Sequence, residues 1–99
     1  YIFHFLYRYI EIYMKINELI EVLDKKLKKS FKISSLKIED KSFLHVKHKS
    51  FVEDKFHIKI TLISDELKFL KSIDANKKIF AVIKEEINNH IHSLQIKIN

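Results

Sequence analysis

Apolar residues recur along the chain with two different periods, and each period predicts one type of element. Residues 15–29 carry apolar side chains at intervals of three and four, which is the spacing of an amphipathic helix. These side chains are Ile16, Leu19, Ile20, Leu23 and Leu27. Acidic residues precede most of the lysines in this segment, an order that the helix dipole favours. The segment is therefore predicted to form the first helix.

A second helix is predicted over residues 75–87. Its isoleucines recur every fourth residue, which places them along one face. They are Ile79, Ile83 and Ile87. Asp74 precedes the segment and is suited to accept hydrogen bonds from the first free backbone amides. Asn88 and Asn89 follow it and predict a left-handed helix stop, where asparagine can take the place of glycine.

Three shorter segments alternate apolar and polar residues, the period of a half-buried strand. They cover residues 34–40, 56–63 and 93–99. Residues 41–55 carry charges of both signs and predict a long loop, whereas residues 65–73 predict a helical turn. In the expected order α-β-β-(turn)-α-β, the helical crossover favours a parallel strand pair and the long loop permits an antiparallel one. The prediction is an α+β domain with a mixed three-stranded sheet that helices cover on one face.

The composition excludes several kinds of site. The 99 residues suffice for one domain and include no glycine, proline or cysteine. Without glycine, loops that need close backbone approach to a ligand are excluded, among them the phosphate-binding loop and the GxxG clamp. Without cysteine, this chain cannot hold an iron–sulfur cluster on its own thiolates, and a metal site would need histidine or carboxylate ligands. No serine has the glycine-flanked setting of a nucleophile elbow, and we expect no enzymatic activity.

The charge predicts weak attraction to polyanions. Nineteen basic residues against 13 acidic ones give a formal charge of +6, and Arg8 is the only arginine. Lysine is a hydrated point charge that lacks the bidentate geometry with which arginine recognises bases and phosphates. We therefore expect electrostatic contact with nucleic acid and no sequence-specific recognition.

Residues 1–13 differ from the rest in being strongly apolar and aromatic. They are too short for a membrane span, which takes about 20 apolar residues, and Arg8 and Glu11 interrupt them. The segment is interpreted as an N-terminal extension or leader remnant, although its helical spacing also permits a continuation into the next helix. The domain itself is expected to cover residues 14–99. Without a small-residue cleavage site, a cytoplasmic or organellar location is expected rather than secretion.

Two pairs of histidines have spacings suited to a shared metal ion. His45 and His48 lie in the predicted long loop, and His90 and His92 flank the start of the third strand. In an extended chain, residues two apart face the same side, so the second pair could chelate one ion. Surface histidines at such spacings are more often simply solvated, and spacing alone leaves the metal site open.

Several separated motifs resemble the BolA-like proteins. The stretch DKSFLHVKH over 40–48 is similar to the family's D-x-S-x-x-H pattern, and FHIKITLIS over 56–64 to the strand that follows it. After the second helix, Glu85-Glu86-Ile87 and Ile91-His92-Ser93-Leu94 resemble the pattern E-E-L…(V/I)-H-A-L. The resemblance covers about residues 14–99. It implies a class II KH-like fold.

The resemblance also implies a partner and a cargo. Family members form heterodimers with monothiol glutaredoxins and share a [2Fe–2S] cluster, to which the glutaredoxin and glutathione bring thiolates. It assigns one ligand to His92 and the second to His45, with His48 as the alternative, and leaves His57 a structural or supporting role. The implied function is iron–sulfur cluster assembly or trafficking. The alternative is a KH-like nucleic-acid-binding transcriptional regulator. Where the family carries the basic pattern R-H-R, this chain has Ala75-Asn76-Lys77, which weakens that alternative.

Overall fold

The computed structural model describes the backbone of residues 2–41 and 55–99, and the side chains of residues 15–41 and 55–99. Four helices and three strands occupy these ranges. The helices are α1 (Ile2–Ser30), α2 (Asp65–Lys68), α3 (Ser72–Val82) and α4 (Lys84–His90). The strands are β1 (Ser35–Asp40), β2 (Phe56–Ile63) and β3 (Ile91–Ile98). The predicted order of elements is confirmed, and the second strand has the predicted bounds.

The strands form one sheet in the order β1-β2-β3. β1 runs antiparallel to β2, with Ser35 opposite Ile63 and Asp40 opposite Ile58. β3 runs parallel to β2 after the helical crossover, with Ile58 opposite Leu94. The prediction of a mixed three-stranded sheet in an α+β domain is therefore confirmed.

The core lies between the helices and one face of the sheet. Alternate residues of β2 point into it, and completely buried residues of the helices and of the α3–α4 junction pack around it. The β2 residues are Phe56, Ile58, Ile60 and Leu62, the helix residues are Leu23, Leu27 and Ile79, and the junction residue is Ile83. Full burial of one such aliphatic side chain stabilises the fold by about 1.5–3 kcal/mol. The opposite sheet face has no helix over it within the described residues and carries most of the strand lysines.

The second predicted helix differs from the observed one at both ends. α3 begins at Ser72, three residues early, so the N-cap is Lys71 and Asp74 lies in the first turn. There its carboxylate still benefits from the positive end of the helix dipole. Ile83, at φ −110° and ψ 21°, separates α3 from α4. One continuous helix over 75–87 is therefore wrong.

The predicted helix stop at Asn88 and Asn89 is also wrong. Both residues lie inside α4, and no residue in the described ranges has a positive φ. The helix ends because Ile91 turns directly into extended conformation, at φ −114° and ψ 123°. Ile91 is opposite Phe56 in the sheet and is buried, so strand pairing and burial begin immediately after the last helical residue.

The third strand begins at Ile91, two residues earlier than predicted, because the buried Ile91 already pairs with Phe56. The turn expected over 65–73 contains α2, whose N-cap Ser64 accepts a hydrogen bond at its Oγ from the Leu67 amide at 3.3 Å. α1 continues without interruption from Ile2 into the amphipathic segment, as the helical spacing permits. No helix in the described part of the chain combines the length and apolarity that crossing a bilayer requires.

Candidate functional site

Two of the six histidines meet where β2 and β3 begin. The ring centroids of His57 and His92 lie 5.1 Å apart, with 69° between the ring planes, so the two imidazoles are in edge contact. His57 is buried, with 8% of its surface exposed, whereas His92 is exposed. A buried ring thus supports a solvent-facing one.

A local irregularity in the parallel pairing produces this contact. Phe56 is opposite Ile91, but the next residue, His57, is opposite Ser93. His92 is therefore an additional residue on β3 with no direct counterpart on β2. Such extra residues kink a strand locally and re-aim a side chain, and they are frequent near functional sites.

His90 does not share an extended segment with His92. It is the last residue of α4, and its side chain lines a cavity between α1 and α4. The possible chelate of His90 and His92 required both residues to be in extended conformation, and that condition is not met because the helix continues through residue 90. The pattern His-Ile-His thus crosses a helix–strand junction.

The segment that contains His45 and His48 lies outside the described residues, which stop at Lys41 and resume at Lys55. Both flanking residues are at the His57 end of the sheet. The Lys41 amide donates a hydrogen bond to the His57 carbonyl oxygen at 2.7 Å, and Lys55 directly precedes Phe56. The two described ends of the segment are thus anchored beside the strand that carries His57.

A carboxylate surrounded by lysines lies on the same sheet face, one strand away. Lys41 Nζ is 2.9 Å from Glu39 Oε2, and Lys37 Nζ is 3.8 Å from Glu39 Oε1. The hydrogen bond from Lys41, with weaker attraction to Lys37 and Lys59, lowers the pKa of Glu39. This carboxylate therefore remains charged and neutralises part of a basic surface.

The cavity beside His90 has a volume of about 540 Å³ and contains a second charged cluster. The buried Glu86 carboxylate pairs with Lys26 of α1, and Lys26 Nζ also lies 3.9 Å from Glu85 Oε2. The hydrogen bond to Glu86 raises the pKa of Lys26. This ion pair joins α1 to α4.

The fold and this arrangement correspond to a known family. The profile of the BolA-like proteins matches residues 27–99. The chain belongs to the BolA-like family. The match includes both strands of the histidine pair, the helices between them and the segment with His45 and His48.

Curated relatives come from bacteria. A DNA-binding transcriptional regulator BolA from Haemophilus influenzae is 26% identical over 78 residues, covering 79% of this chain and 73% of the relative. The protein of the same name from Vibrio cholerae is 28% identical over 76 residues, covering 77% and 69%.

Solved plant structures share the fold. The BolA domain of SufE1 from Arabidopsis thaliana superposes with a TM-score of 0.67 at 22% identity, covering 80% of this chain and 87% of that one. BolA1 from the same organism gives a TM-score of 0.68 at 23% identity, with the same coverage.

The described residues supply an incomplete set of metal ligands. No group of three or more histidine, cysteine or carboxylate side chains in the described ranges is arranged to hold a metal ion. Of the two exposed imidazoles in these ranges, His90 and His92, only that of His92 is backed by a buried one. Such a donor can complete a metal centre whose other ligands come from elsewhere, since neutral imidazole binds iron, zinc and copper.

Proposed function

We propose that this protein is an adaptor in iron–sulfur cluster assembly or trafficking, which shares a [2Fe–2S] cluster with a monothiol glutaredoxin. The observation that carries the proposal is the pairing of an exposed His92 with a buried His57 on adjacent strands. An imidazole held on a strand loses little conformational freedom when it binds a metal. Rigid support of that kind improves the affinity of a metal ligand.

The missing thiolates support a shared cluster rather than a resident one. [2Fe–2S] clusters are held mainly by cysteine thiolates, and this chain has no cysteine. The proposed partner contributes its own thiolate and that of bound glutathione, and this chain contributes imidazoles. Replacement of thiolate by histidine on one iron raises the reduction potential of such a cluster.

The second ligand is proposed to be His45, with His48 as the alternative. The described residues on either side of their segment, Lys41 and Lys55, lie at the His57 end of the sheet. A ligand from this segment would therefore start from an anchor close to His92. Two histidines three residues apart also leave room for one to substitute for the other.

The proposal is tested by co-expression with a monothiol glutaredoxin in the presence of glutathione. Visible absorption and circular dichroism of the purified heterodimer report the cluster and the asymmetry of its ligands. We expect His92→Ala to abolish the spectrum characteristic of the heterodimer while the two proteins still co-purify. His90→Ala is the matched control, because His90 is only two residues away in the sequence but lines the cavity between α1 and α4, which His92 does not line. An unchanged spectrum and cluster lifetime in His92→Ala would refute the assignment.

The isolated protein provides a second test. Reconstitution with iron and sulfide, without glutaredoxin, should leave it colourless, because at most a few imidazoles cannot retain a two-iron centre. A stable brown protein under these conditions would show that the cluster is resident, and the shared-cluster proposal would be wrong.

DNA binding is the second candidate, favoured by the charge of +6 and by the name of the two bacterial relatives. The residues at the start of α3 weaken it, because Ala75 is buried and Lys77 is the only basic residue where the family carries three. Lysine-based binding should depend steeply on salt and little on sequence. Titration of a labelled duplex at several salt concentrations, with specific and scrambled sequences, separates this behaviour from true regulation.

A further inference from the structure

β3 is an edge strand whose apolar residues are incompletely covered. Within the described residues, only β2 pairs with it, so its outer side offers free backbone amides and carbonyls. Its inward side chains are half-buried, whereas their neighbours on β2 are at most 2% exposed. The pairs are Leu94 with Ile58, Ile96 with Ile60, and Ile98 with Leu62. The helices therefore cover the middle of the sheet and leave this edge open.

Two cavities follow the open edge. The larger, about 510 Å³, is lined by Leu94 of β3 together with Phe80, Ala81 and Ile87 from the helices. The smaller, about 180 Å³, lies farther along the strand at Ile96 and Ile98. Alternate strand residues thus face successive cavities, over a distance of about 13 Å from Leu94 to Ile98.

The larger cavity has a basic rim. Its two remaining lining residues are Lys77 and Lys84, and neither forms an ion pair with a carboxylate in the described ranges. Other helix lysines behave differently: Lys25 and Lys28 of α1 each lie 3.1 Å from an acidic residue one turn earlier. The open edge therefore combines an apolar floor with uncompensated positive charge.

We propose that the outer edge of β3 binds an extended, acidic segment of a partner protein as a fourth strand. The backbone of that segment would pair with β3, its alternate apolar side chains would enter the two cavities, and its carboxylates would reach Lys77 and Lys84. Addition of a strand to an exposed sheet edge is a recurrent mode of peptide recognition, in which backbone hydrogen bonds give affinity and pockets give specificity.

Charge and chemistry select this partner over the alternatives. A second copy of the chain would bring another net charge of +6 and another pair of rim lysines to the edge, which disfavours self-association. A nucleic acid offers phosphates to the lysines, but its backbone cannot continue the hydrogen-bond ladder of a sheet. Four of the six residues around the larger cavity are apolar, and aliphatic side chains complement them better than bases and sugars do.

A defined peptide tests the proposal without glutaredoxin or a cluster. The probe is an acetylated and amidated nine-residue peptide with a fluorophore, in which three valines alternate with threonines and two glutamates stand at each end. Fluorescence anisotropy of the full chain with this probe gives the affinity. Hydrogen exchange then reports whether the amides of β3 become protected, as pairing on the outer edge requires.

Matched variants separate the edge from general attraction between opposite charges. Lys77→Glu/Lys84→Glu should weaken binding about tenfold or more, whereas Lys25→Glu/Lys29→Glu on α1, away from both cavities, should have a smaller effect. Phe80→Ser should also weaken binding, while Phe69→Ser should not, because Phe69 is 94% exposed and lines neither cavity. Phe80 is itself 43% exposed, so its replacement leaves the core intact.

Three results would overturn the proposal. Two further peptides are N-methylated at alternate amides, so that each has one of its two hydrogen-bonding edges blocked. Strand addition requires that one of these two peptides fails to bind. Equal binding by both would exclude strand addition. Displacement of the probe by oligothymidylate, combined with protection of β3 by the oligonucleotide and not by the peptide, would assign the edge to nucleic acid. Light scattering that shows dimerisation through this edge without peptide would assign it to a second copy.

Discussion

The imidazole of His57 lies buried directly behind the exposed imidazole of His92, with the ring centroids 5.1 Å apart. The two residues belong to parallel strands and are separated by a helical crossover. Neither ring could hold this position from local sequence alone. The contact therefore makes the orientation of His92 depend on the packing of β2.

Removal of the buried ring should affect both stability and the exposed histidine. His57→Ala leaves a cavity next to β3, and we expect the free energy of unfolding to fall by about 1–3 kcal/mol. His57→Phe fills the space and should recover most of that loss. NMR of the His92 ring protons should show the loss of the ring-current shift in His57→Ala, while His90→Ala leaves those signals in place. Unchanged His92 signals in His57→Ala would contradict the supporting role.

The ion pair between α1 and α4 predicts an asymmetry between its two members. Lys26→Met leaves the Glu86 carboxylate buried without its cation, which should clearly lower the midpoint of urea unfolding. Glu86→Gln removes the buried charge, and the Lys26 ammonium, 38% exposed, can remain hydrated. We expect a smaller loss of stability for that change than for Lys26→Met. Urea unfolding of both variants measures the difference, and a larger loss in Glu86→Gln would show that the pair is not effectively buried.

The lowered pKa of Glu39 predicts a stability contribution that depends on pH. A carboxylate whose pKa is lower in the folded state stabilises the fold above its unfolded pKa, and the contribution disappears as the pH falls through the folded value. Glu39→Gln should therefore lower Tm at pH 7 and lower it less at pH 3, because progressive protonation of the wild-type carboxyl group removes its attraction to the lysines. Thermal unfolding at both pH values, with Glu18→Gln on the exposed surface of α1 as a control, tests this. A constant difference in Tm would contradict an electrostatic origin.

Deletion of residues 1–13 should leave the domain folded. The described residues of α1 that enter the core are Ile16, Leu19, Leu23 and Leu27, all beyond the deleted segment. We expect Tm to change by only a few degrees and the transition to remain cooperative. Loss of cooperative unfolding would show that the segment packs on the domain.

The sequence predicted the elements whose periods are strong and local. β2 alternates strictly and its bounds were predicted correctly, and the face of α1 that packs on the sheet follows directly from its spacing. The helix boundaries near 72 and 90 were not predictable in the same way. Burial of Ile91 and its pairing with Phe56 outweigh the weak local preference of two asparagines. Tertiary packing therefore decided where that helix ends.

The candidate site was predictable only in part. The resemblance of Ile91-His92-Ser93-Leu94 to a family motif singled out His92, and the sequence also contained His57, but no periodicity indicated that the two rings touch. Their contact depends on the parallel register and on its irregularity after Phe56. The register between strands that are distant in sequence is set in the folded sheet, so it could not be predicted from the pattern of one sequence.

Because His92 is an additional residue on β3, a substitution at position 92 need not disturb the packing of the strand. Ile91 and Leu94 both face the helices, although residues three positions apart in a regular strand face opposite sides. They can do so because one of the two residues between them, His92, falls outside the pairing with β2. Position 92 therefore contributes no side chain to the apolar core, and apart from its contact with the His57 ring its side chain can be exchanged without shifting the alternation of the strand on either side. In evolutionary terms, the chemistry at this position can change while the scaffold that presents it stays the same.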